Sequence, residues 1–142
     1  MVIATHQAEW DAVKKLRNSY FFKLHNIDDP YTWTLDDPLH KHLIFYQGTD
    51  IIGYAHIQLW TEKTAALQVI VIEETNCNNG FGTRLLQLCE KYLKNLGYNS
   101  LHAHIPPNAL TFFKKNNYSE MPFNDPDCYE SDPQDTDVRK NL

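Results

Sequence analysis

The chain has 142 residues, of which 42% are hydrophobic, and a formal net charge of −5. This length and composition predict one folded domain, residues 1–142, with a sizeable buried core. Proteins that bind nucleic acid through its phosphates are usually basic, so the charge argues against that class of partner. No apolar run approaches the ~18 residues of a membrane span, and the N-terminus lacks a signal-peptide pattern. We therefore expect a cytoplasmic protein without a membrane partner, as a monomer or homodimer.

The cysteines and histidines do not predict a metal site. The three cysteines, Cys77, Cys89 and Cys128, are odd in number and contain no C-x-x-C spacing. Two His-x-His pairs, at residues 40–42 and 102–104, each place two imidazoles on one face of an extended segment. With Asp36 or Asp37 they could ligate zinc, but packed or exposed histidine pairs explain them more simply. No metal is predicted.

The first half of the chain predicts a helix followed by three strands. Thr5 can cap a helix whose apolar side chains keep helical spacing to Phe21. Two Asp-Asp-Pro triplets predict a loop over residues 26–42, because the residue before a proline disfavours helix. Apolar runs at 42–47 and 51–60 flank a Gly-Thr-Asp turn and predict a hairpin. The nearly continuous apolar run within 65–74 predicts a strand in the middle of the sheet.

The second half predicts two helices and up to three strands. Leucines after Gly82 follow one helical stripe, and Gly97 is expected just past the helix end. Residues 100–105 predict a strand, and Asn108 predicts the N-cap of a short helix over 109–117. Residues 118–123 predict a further strand, and 137–142 a weak last one. This order predicts a mixed α/β or α+β domain of at most three layers.

The sequence Gly80-Phe81-Gly82 joins the third strand to the second helix. A helix start leaves backbone N–H groups without partners and carries a partial positive charge, so phosphates bind there. A Rossmann motif would need glycine at position 85, which is Leu85, and a P-loop would need a Gly-Lys-Ser/Thr run. On the two glycines alone, an ordinary strand-to-helix turn remains the better explanation.

The stretch from Val69 to Tyr118 resembles the acetyl-CoA-binding half of the GNAT superfamily of N-acetyltransferases. In that family a central strand runs into a Gln/Arg-x-x-Gly-x-Gly/Ala loop, then a leucine-rich helix, a strand and a short helix with an Ala-x-x-Phe-Tyr signature. Gly80 and Gly82 match the two small positions, and Ala109 and Phe112 match the last helix. The resemblance implies an α/β (α+β) fold with a central mixed, mostly antiparallel sheet flanked by helices.

The resemblance also implies an activity. The chain would move acetyl from acetyl-CoA to a primary amine, on a small molecule or a peptide, by direct attack in a ternary complex. A non-catalytic acyl-CoA-binding sensor or interaction module remains the alternative.

The resemblance implies two kinds of contact with acetyl-CoA. The diphosphate would lie on backbone amides of the glycine turn, and the pantetheine arm would pair with the edge of the third strand, whose end would hold the thioester. The implied cofactor-binding residues are Val69, Ile70, Val71, Ile72, Cys77, Asn78, Asn79, Gly80, Phe81, Gly82, Thr83, Asn108 and Phe112.

Two positions depart from the family pattern. Cys77 stands where the family has Gln or Arg, whose side chain can reach a phosphate. Phe113 stands where many relatives have the tyrosine that protonates the leaving thiolate. Tyr118, Tyr129 or solvent could replace that tyrosine.

The attacking amine needs a base. Glu73 and Glu74 end the third strand, and one of them should point into the cleft, although both could be solvated carboxylates. His56 is a further candidate. On the acceptor side, Tyr31, Trp33 and Tyr46, together with the acidic run 125–137, would suit a flat or cationic amine. A solvated tail or loop is the better explanation of the acidic run.

Overall fold

The computed structural model describes residues 1–76, 79–123 and 133–142, which form a seven-stranded sheet with helices on its faces. The strand order is β1-β2-β3-β4-β5-β7-β6, and only β4 and β5 run parallel. The strands are β1 Val2–Ile3, β2 His40–Gln47, β3 Asp50–Leu59, β4 Thr64–Ile72, β5 Ser100–Ile105, β6 Ser119–Glu120 and β7 Thr136–Asn141. The predicted mixed, mostly antiparallel sheet is confirmed, with β4 in its middle.

Helices cover the sheet on both faces. The helices are α1 Gln7–His25, α2 Phe81–Asn95 and α3 Leu110–Lys115. Leu85, Leu86 and Leu93 of α2 are fully buried in the larger core, with Leu43 and Leu101 of the sheet. The stripe is continuous because leucines recur at helical spacing. No helix in the described part of the chain is long and apolar enough to cross a bilayer.

The sheet face under α1 is unusually polar. Side chains alternate between faces along a strand, so the His-x-His pairs of β2 and β5 and every second residue of β3 project toward the same side. Buried polar side chains on this face are His40, His42, Tyr54, His56, Gln58 and His102. Buried polar groups need hydrogen-bond partners, and Arg17 of α1 is the partner of two of them, Tyr54 and His56.

Two predicted helix caps are wrong. The N-cap of α1 is His6, not Thr5, and the Glu9 carboxylate accepts hydrogen bonds from both of their backbone N–H groups, at 3.2 and 3.0 Å. Asn108 lies inside a 3-10 turn, Pro107–Ala109, because proline favours the first position of such a turn. The N-cap of α3 is Ala109.

The predicted end of α2 is confirmed. Gly97 has φ of +88°, and the N–H of Tyr98 donates to the Leu93 carbonyl at 3.0 Å. Such a left-handed residue after the last turn favours glycine because no Cβ clashes there.

Candidate active site

The central strands β4 and β5 separate part-way along their length. They pair at Thr64–Ser100, Ala65–Leu101 and Ala66–His102, and no later pair continues this ladder. β4 nevertheless runs on to Ile72 and β5 to Ile105. The edge of β4 beyond residue 66 therefore carries backbone N–H and C=O groups that β5 does not pair, which is what an amide-bearing ligand can use.

A β-bulge lies where the two strands separate. On the other edge of β4, His56 pairs with Val69 and Ile57 pairs with Leu67, so Gln68 is an extra residue. Bulges bend a strand and re-aim a side chain, and they are common next to active sites. The Gln68 side-chain amide donates to Oε1 of Gln58 at 2.9 Å.

Three cavities meet at this place. A split cavity of about 70 Å³ lies between β4 and β5, lined by residues 67–70, 103–106 and Phe113. An inner cavity of about 430 Å³ lies under the second half of α1, lined by Arg17, Gln68 and His104 among others. An outer cavity of about 660 Å³ lies at the far end of β4. Tyr20 lines all three, so they meet around its side chain.

The outer cavity borders the segment that leads to the glycine turn. Its lining includes five consecutive residues at the end of β4, Val71, Ile72, Glu73, Glu74 and Thr75, and also Asn108 and Ala109. Glu74 is exposed and lies 3.3 Å from Lys23, as an ion pair of α1 with this segment. Both predicted glutamates thus sit at the end of β4 away from the bulge.

The glycine turn has an open backbone. Gly80 is the N-cap of α2 with φ of +78°, and a Cβ added there would meet no atom within 4 Å. A Cβ on Gly82 would lie 3.5 Å from the Phe112 ring, an ordinary contact. Packing within the chain therefore does not require glycine at 82, whereas close approach of a ligand would. The N–H groups of residues 81–83 have no carbonyl four residues earlier within α2.

Two of the predicted cofactor-binding residues, Cys77 and Asn78, lie outside the described residues. So do Cys128 and Tyr129 and most of the acidic run. Asn79, at the edge of the first gap, is exposed.

Arg17 forms the floor of the inner cavity. This fully buried guanidinium donates through Nε and Nη2 to the two carboxylate oxygens of Asp29, at 2.7 and 3.2 Å. Its Nη1 donates to the Tyr54 hydroxyl and lies 2.9 Å from Nδ1 of His56. Arginine only donates, so Nδ1 of His56 is an acceptor and its Nε2 carries the hydrogen.

The tautomers of His40 and His42 follow from their hydrogen-bond partners in the same way. Nε2 of His56 donates to Nδ1 of His40 at 2.7 Å. Tyr54, whose hydroxyl accepts from Arg17, gives its own hydrogen to Nδ1 of His42 at 2.6 Å, and Nε2 of His42 donates to the Thr34 carbonyl at 3.0 Å. These contacts suit a neutral ring at all three positions.

Burial keeps two of these imidazoles neutral at physiological pH. Burial lowers the pKa of His42 to about 4. Burial, together with the neighbouring His42 ring and the charge of Arg17, lowers the pKa of His56 well below its usual value. Both ring nitrogens of His56 are already engaged, so its imidazole is arranged to hold the network together rather than to accept a proton.

A second histidine–carboxylate pair lines the inner cavity. His104 of β5 lies directly opposite Asp137 of β7 in the sheet register, and Nδ1 of His104 is 2.6 Å from Oδ1 of Asp137. The sequence showed His104 only as part of a His-x-His pair and gave no sign of its partner. No group of three or more His, Cys, Asp or Glu side chains within the described ranges could hold a metal ion.

Tyr118 and Phe113 are both buried on the α2 side. The Tyr118 hydroxyl donates to Glu90 at 2.8 Å, and burial raises the pKa of Tyr118. Phe113 lines the split cavity. The tyrosine that lines all three cavities is Tyr20, and burial raises the pKa of its hydroxyl to about 12. The sequence did not indicate a role for Tyr20, because nothing distinguishes it from the other aromatic residues of α1.

The predicted acceptor-side aromatics are dispersed. Tyr31 lines the inner cavity and packs 5.7 Å from the Phe21 ring. Trp33 is half exposed and packs edge-on against His40. The Tyr46 hydroxyl donates to Glu9 at 2.7 Å, near the start of α1.

The family described as the acetyltransferase (GNAT) family matches residues 10–118. The chain belongs to this family of acetyltransferases. As a GNAT enzyme it takes its acetyl group from acetyl-CoA and acts on an amine acceptor. A comparison with curated proteins gave no match.

The GNAT fold is also clear from solved structures. GCN5 of Tetrahymena aligns with a TM-score of 0.79 at 16% identity, over 99% of this chain and 94% of that chain. A GNAT-family acetyltransferase of Staphylococcus aureus aligns with a TM-score of 0.79 at 14% identity, over 100% and 98%. The PaiA N-acetyltransferase of Thermoplasma acidophilum, solved in complex with coenzyme A, aligns with a TM-score of 0.71 at 14% identity, over 100% of both chains.

Proposed function

We propose that this GNAT enzyme transfers acetyl from acetyl-CoA directly to a primary amine while both are bound. The observation that carries the proposal is the separation of β4 from β5 at the Gln68 bulge, with a cavity on either side. One cavity leads toward the glycine turn and the other lies under α1, so two substrates could reach the same point from opposite sides. Holding both in one complex supplies much of the rate enhancement by positioning.

The glycine turn suits the diphosphate of acetyl-CoA. The open backbone at Gly80 and the N–H groups of Phe81, Gly82 and Thr83 offer donors and a partial positive charge. Asn108 lines the outer cavity, and the Phe112 ring lies beside Gly82. We assign Cys77, Asn78 and Asn79 to the same contact from the sequence.

The pantetheine arm would then follow β4 back toward the bulge and pair with the backbone of Val69, Ile70, Val71 and Ile72, in the part of β4 that lies beyond its ladder with β5. β4 rises about 3.3 Å per residue, so the path from Ile72 to Leu67 covers roughly 16 Å. We therefore propose a thioester position near Gln68 instead of the end of β4. Glu73 and Glu74 lie at the diphosphate end of this path, which favours a base elsewhere.

The leaving thiolate would meet Tyr20. Tyr20 lines both the split cavity and the inner cavity, as do Gln68 and Val69. A phenol with a pKa of about 12 keeps its proton beside a thiolate whose acid has a pKa near 8.5. Tyr20 thus acts as a hydrogen-bond donor to the departing sulfur, and a backbone N–H of β4 stabilises the oxyanion.

The inner cavity suits a small amine with an apolar body. Its volume of about 430 Å³ is within the ~300–1,000 Å³ usual for small-molecule sites. Aromatic walls come from Phe21 and Tyr31. The carboxylate of Asp135 on its lining favours a cationic acceptor over an anionic one.

Coenzyme A release tests this proposal. Acetyl-CoA is offered with phenethylamine, spermidine or a lysine peptide, and free thiol is followed with time. We expect release to depend on amine, fastest for phenethylamine. Acetyl-CoA binding by calorimetry without thiol release from any amine would support a sensor instead, and absence of binding would overturn the proposal.

A further inference from the structure

The His104–Asp137 pair is built across two neighbouring strands. Directly opposed residues of an antiparallel ladder hold their side chains close, and here Nδ1 of His104 and Oδ1 of Asp137 are 2.6 Å apart. A carboxylate accepts only, so Nδ1 carries the hydrogen and Nε2 becomes the basic nitrogen of the neutral ring. The backbone N–H of Met121 donates to the backbone carbonyl of Asp137 at 2.9 Å. This hydrogen bond helps to hold β7, which carries the Asp137 carboxylate, in position.

The His104–Asp137 pair lies close to the proposed site of acetyl transfer. His104 lies two residues beyond the last β4–β5 pair, in the part of β5 that has left β4. It lines the split cavity together with residues 67–70, and the inner cavity together with Gln68 and Val69. His104 therefore borders both the proposed path of the thioester and the cavity proposed for the acceptor. His56, the base candidate in the sequence, has both nitrogens held by Arg17 and His40.

We infer that His104 is the general base of the acetyl transfer and that Asp137 orients it; this rests on the proposed function. An ammonium acceptor gives one proton to Nε2 of His104 and becomes a free amine. The amine nitrogen attacks the thioester carbon, a C–N bond forms and the C–S bond breaks. The second amine proton passes to the departing thiolate, and His104 releases its proton to solvent. The products are an N-acetylated amine and coenzyme A.

The surrounding charges are mixed. Asp137 faces His104 from β7, Asp135 lines the same cavity just before that strand, and His25 and Arg17 line it from α1, the last paired with Asp29. On β5 the nearest same-face neighbour is His102, and Phe123 stacks on the His104 ring at 4.6 Å.

The test compares three variants in the thiol-release assay, with the fastest amine of the panel above. H104Q should lower kcat/KM for the amine about 100-fold or more at neutral pH and remove the acid limb of its pH profile. D137N should lower it at least about tenfold, because an amide can donate to Nδ1 and favour the tautomer without a basic Nε2. Acetyl-CoA affinity, measured by calorimetry, should stay within about twofold in both.

H102Q is the matched control. It removes a buried imidazole from the same strand and face, one whose Nε2 contacts Ser100 instead of a carboxylate. It should keep the wild-type pH profile. An H104Q enzyme with wild-type kcat/KM and profile overturns the base while leaving the proposed function intact. If wild type binds acetyl-CoA but acetylates no amine, turnover and the base are both lost and only the cofactor site stands.

Discussion

Nη1 of Arg17 and Nδ1 of His56 lie 2.9 Å apart, with both side chains almost completely removed from solvent. Because arginine can only donate, this contact sets the tautomer of His56 and, through it, that of His40. Arg17 also donates to the Tyr54 hydroxyl, which in turn contacts Nδ1 of His42 and so sets the tautomer of His42. A single charged side chain from α1 therefore orders the polar sheet face that floors the inner cavity.

Loss of the Arg17 counter-charge should be costly. D29N leaves a buried guanidinium without its carboxylate, and we expect the free energy of unfolding to fall by about 3–5 kcal/mol. Urea unfolding at pH 7 measures it. E120Q breaks an exposed pair with Lys114 at 3.1 Å and should cost less than about 1 kcal/mol. Equal losses in the two variants would contradict a structural role for the buried network.

The buried histidines predict an acid-sensitive fold. His42 has a pKa of about 4 when folded and about 6.5 when unfolded, so between these values the unfolded chain binds more protons. Stability is therefore lost as pH falls from 6.5 toward 4. Glu9, whose pKa the Tyr46 hydrogen bond and the Thr5 N–H lower to about 2, adds a separate loss that begins only below about 4.5.

H42N tests the histidine contribution. It removes the titrating ring, so the drop in unfolding free energy between pH 7.5 and pH 5 should be smaller than in wild type by about 2 kcal/mol. Urea titrations at the two pH values give the difference, whatever the stability of the variant at neutral pH. Identical drops would show that His42 is not held neutral by the fold.

Substitution of Gly82 should change the stability of α2 and the binding of acetyl-CoA in opposite directions. G82D puts a carboxylate in the first turn of α2, which should stabilise the helix by about 0.3–1 kcal/mol. The same charge should abolish acetyl-CoA binding by repelling the diphosphate. G82A is the control for bulk, since its Cβ makes only an ordinary contact with Phe112, at 3.5 Å. Calorimetry showing normal affinity in G82D would exclude the turn as the diphosphate site.

Tyr20 and Tyr118 give a matched pair of Tyr→Phe changes. Y20F should lower kcat by roughly 100-fold with little change in acetyl-CoA affinity, because only the developing thiolate uses the lost hydrogen bond. Y118F removes a hydroxyl bonded to Glu90 and should reduce stability without a comparable effect on kcat. Steady-state kinetics with thermal melts distinguish them. A larger kcat loss in Y118F would favour the acid indicated by the sequence.

The two glutamates can be tested in the same way. We expect E73Q and E74Q to keep kcat within a few-fold of wild type, since both lie at the diphosphate end of β4. A drop of about 100-fold in either would identify it as the base and argue against His104.

Local signals predicted the glycine turn, α2 and the central position of β4. The glycines, the leucine stripe and the apolar run each act over a few residues, so they can be recognised in the sequence without knowledge of tertiary contacts. Arg17 had a signal too, since it follows Val13 and precedes Phe21 by four residues and so falls on the apolar stripe of α1. A buried charge there requires a partner inside the fold.

Non-local contacts could not be predicted in this way. The Gln68 bulge depends on the register between β3 and β4, and the His104–Asp137 contact depends on β7 lying beside β5. The sequence of β7 is polar and indicated only a weak strand, so nothing marked Asp137 as a partner. The caps at Thr5 and Asn108 failed because neighbouring Glu9 and Pro107 decide the local geometry. The cytoplasmic location and the oligomeric state stay predictions.

The amide resonances of Phe81, Gly82 and Thr83 test the central claim most directly. In a titration of ¹⁵N-labelled protein with coenzyme A, these three amides should shift strongly and saturate together with the amides of residues 69–72. Shifts confined to other parts of the chain, or none at saturating coenzyme A, would contradict the placement of the diphosphate at the start of α2 and the acetyl-transfer geometry derived from it.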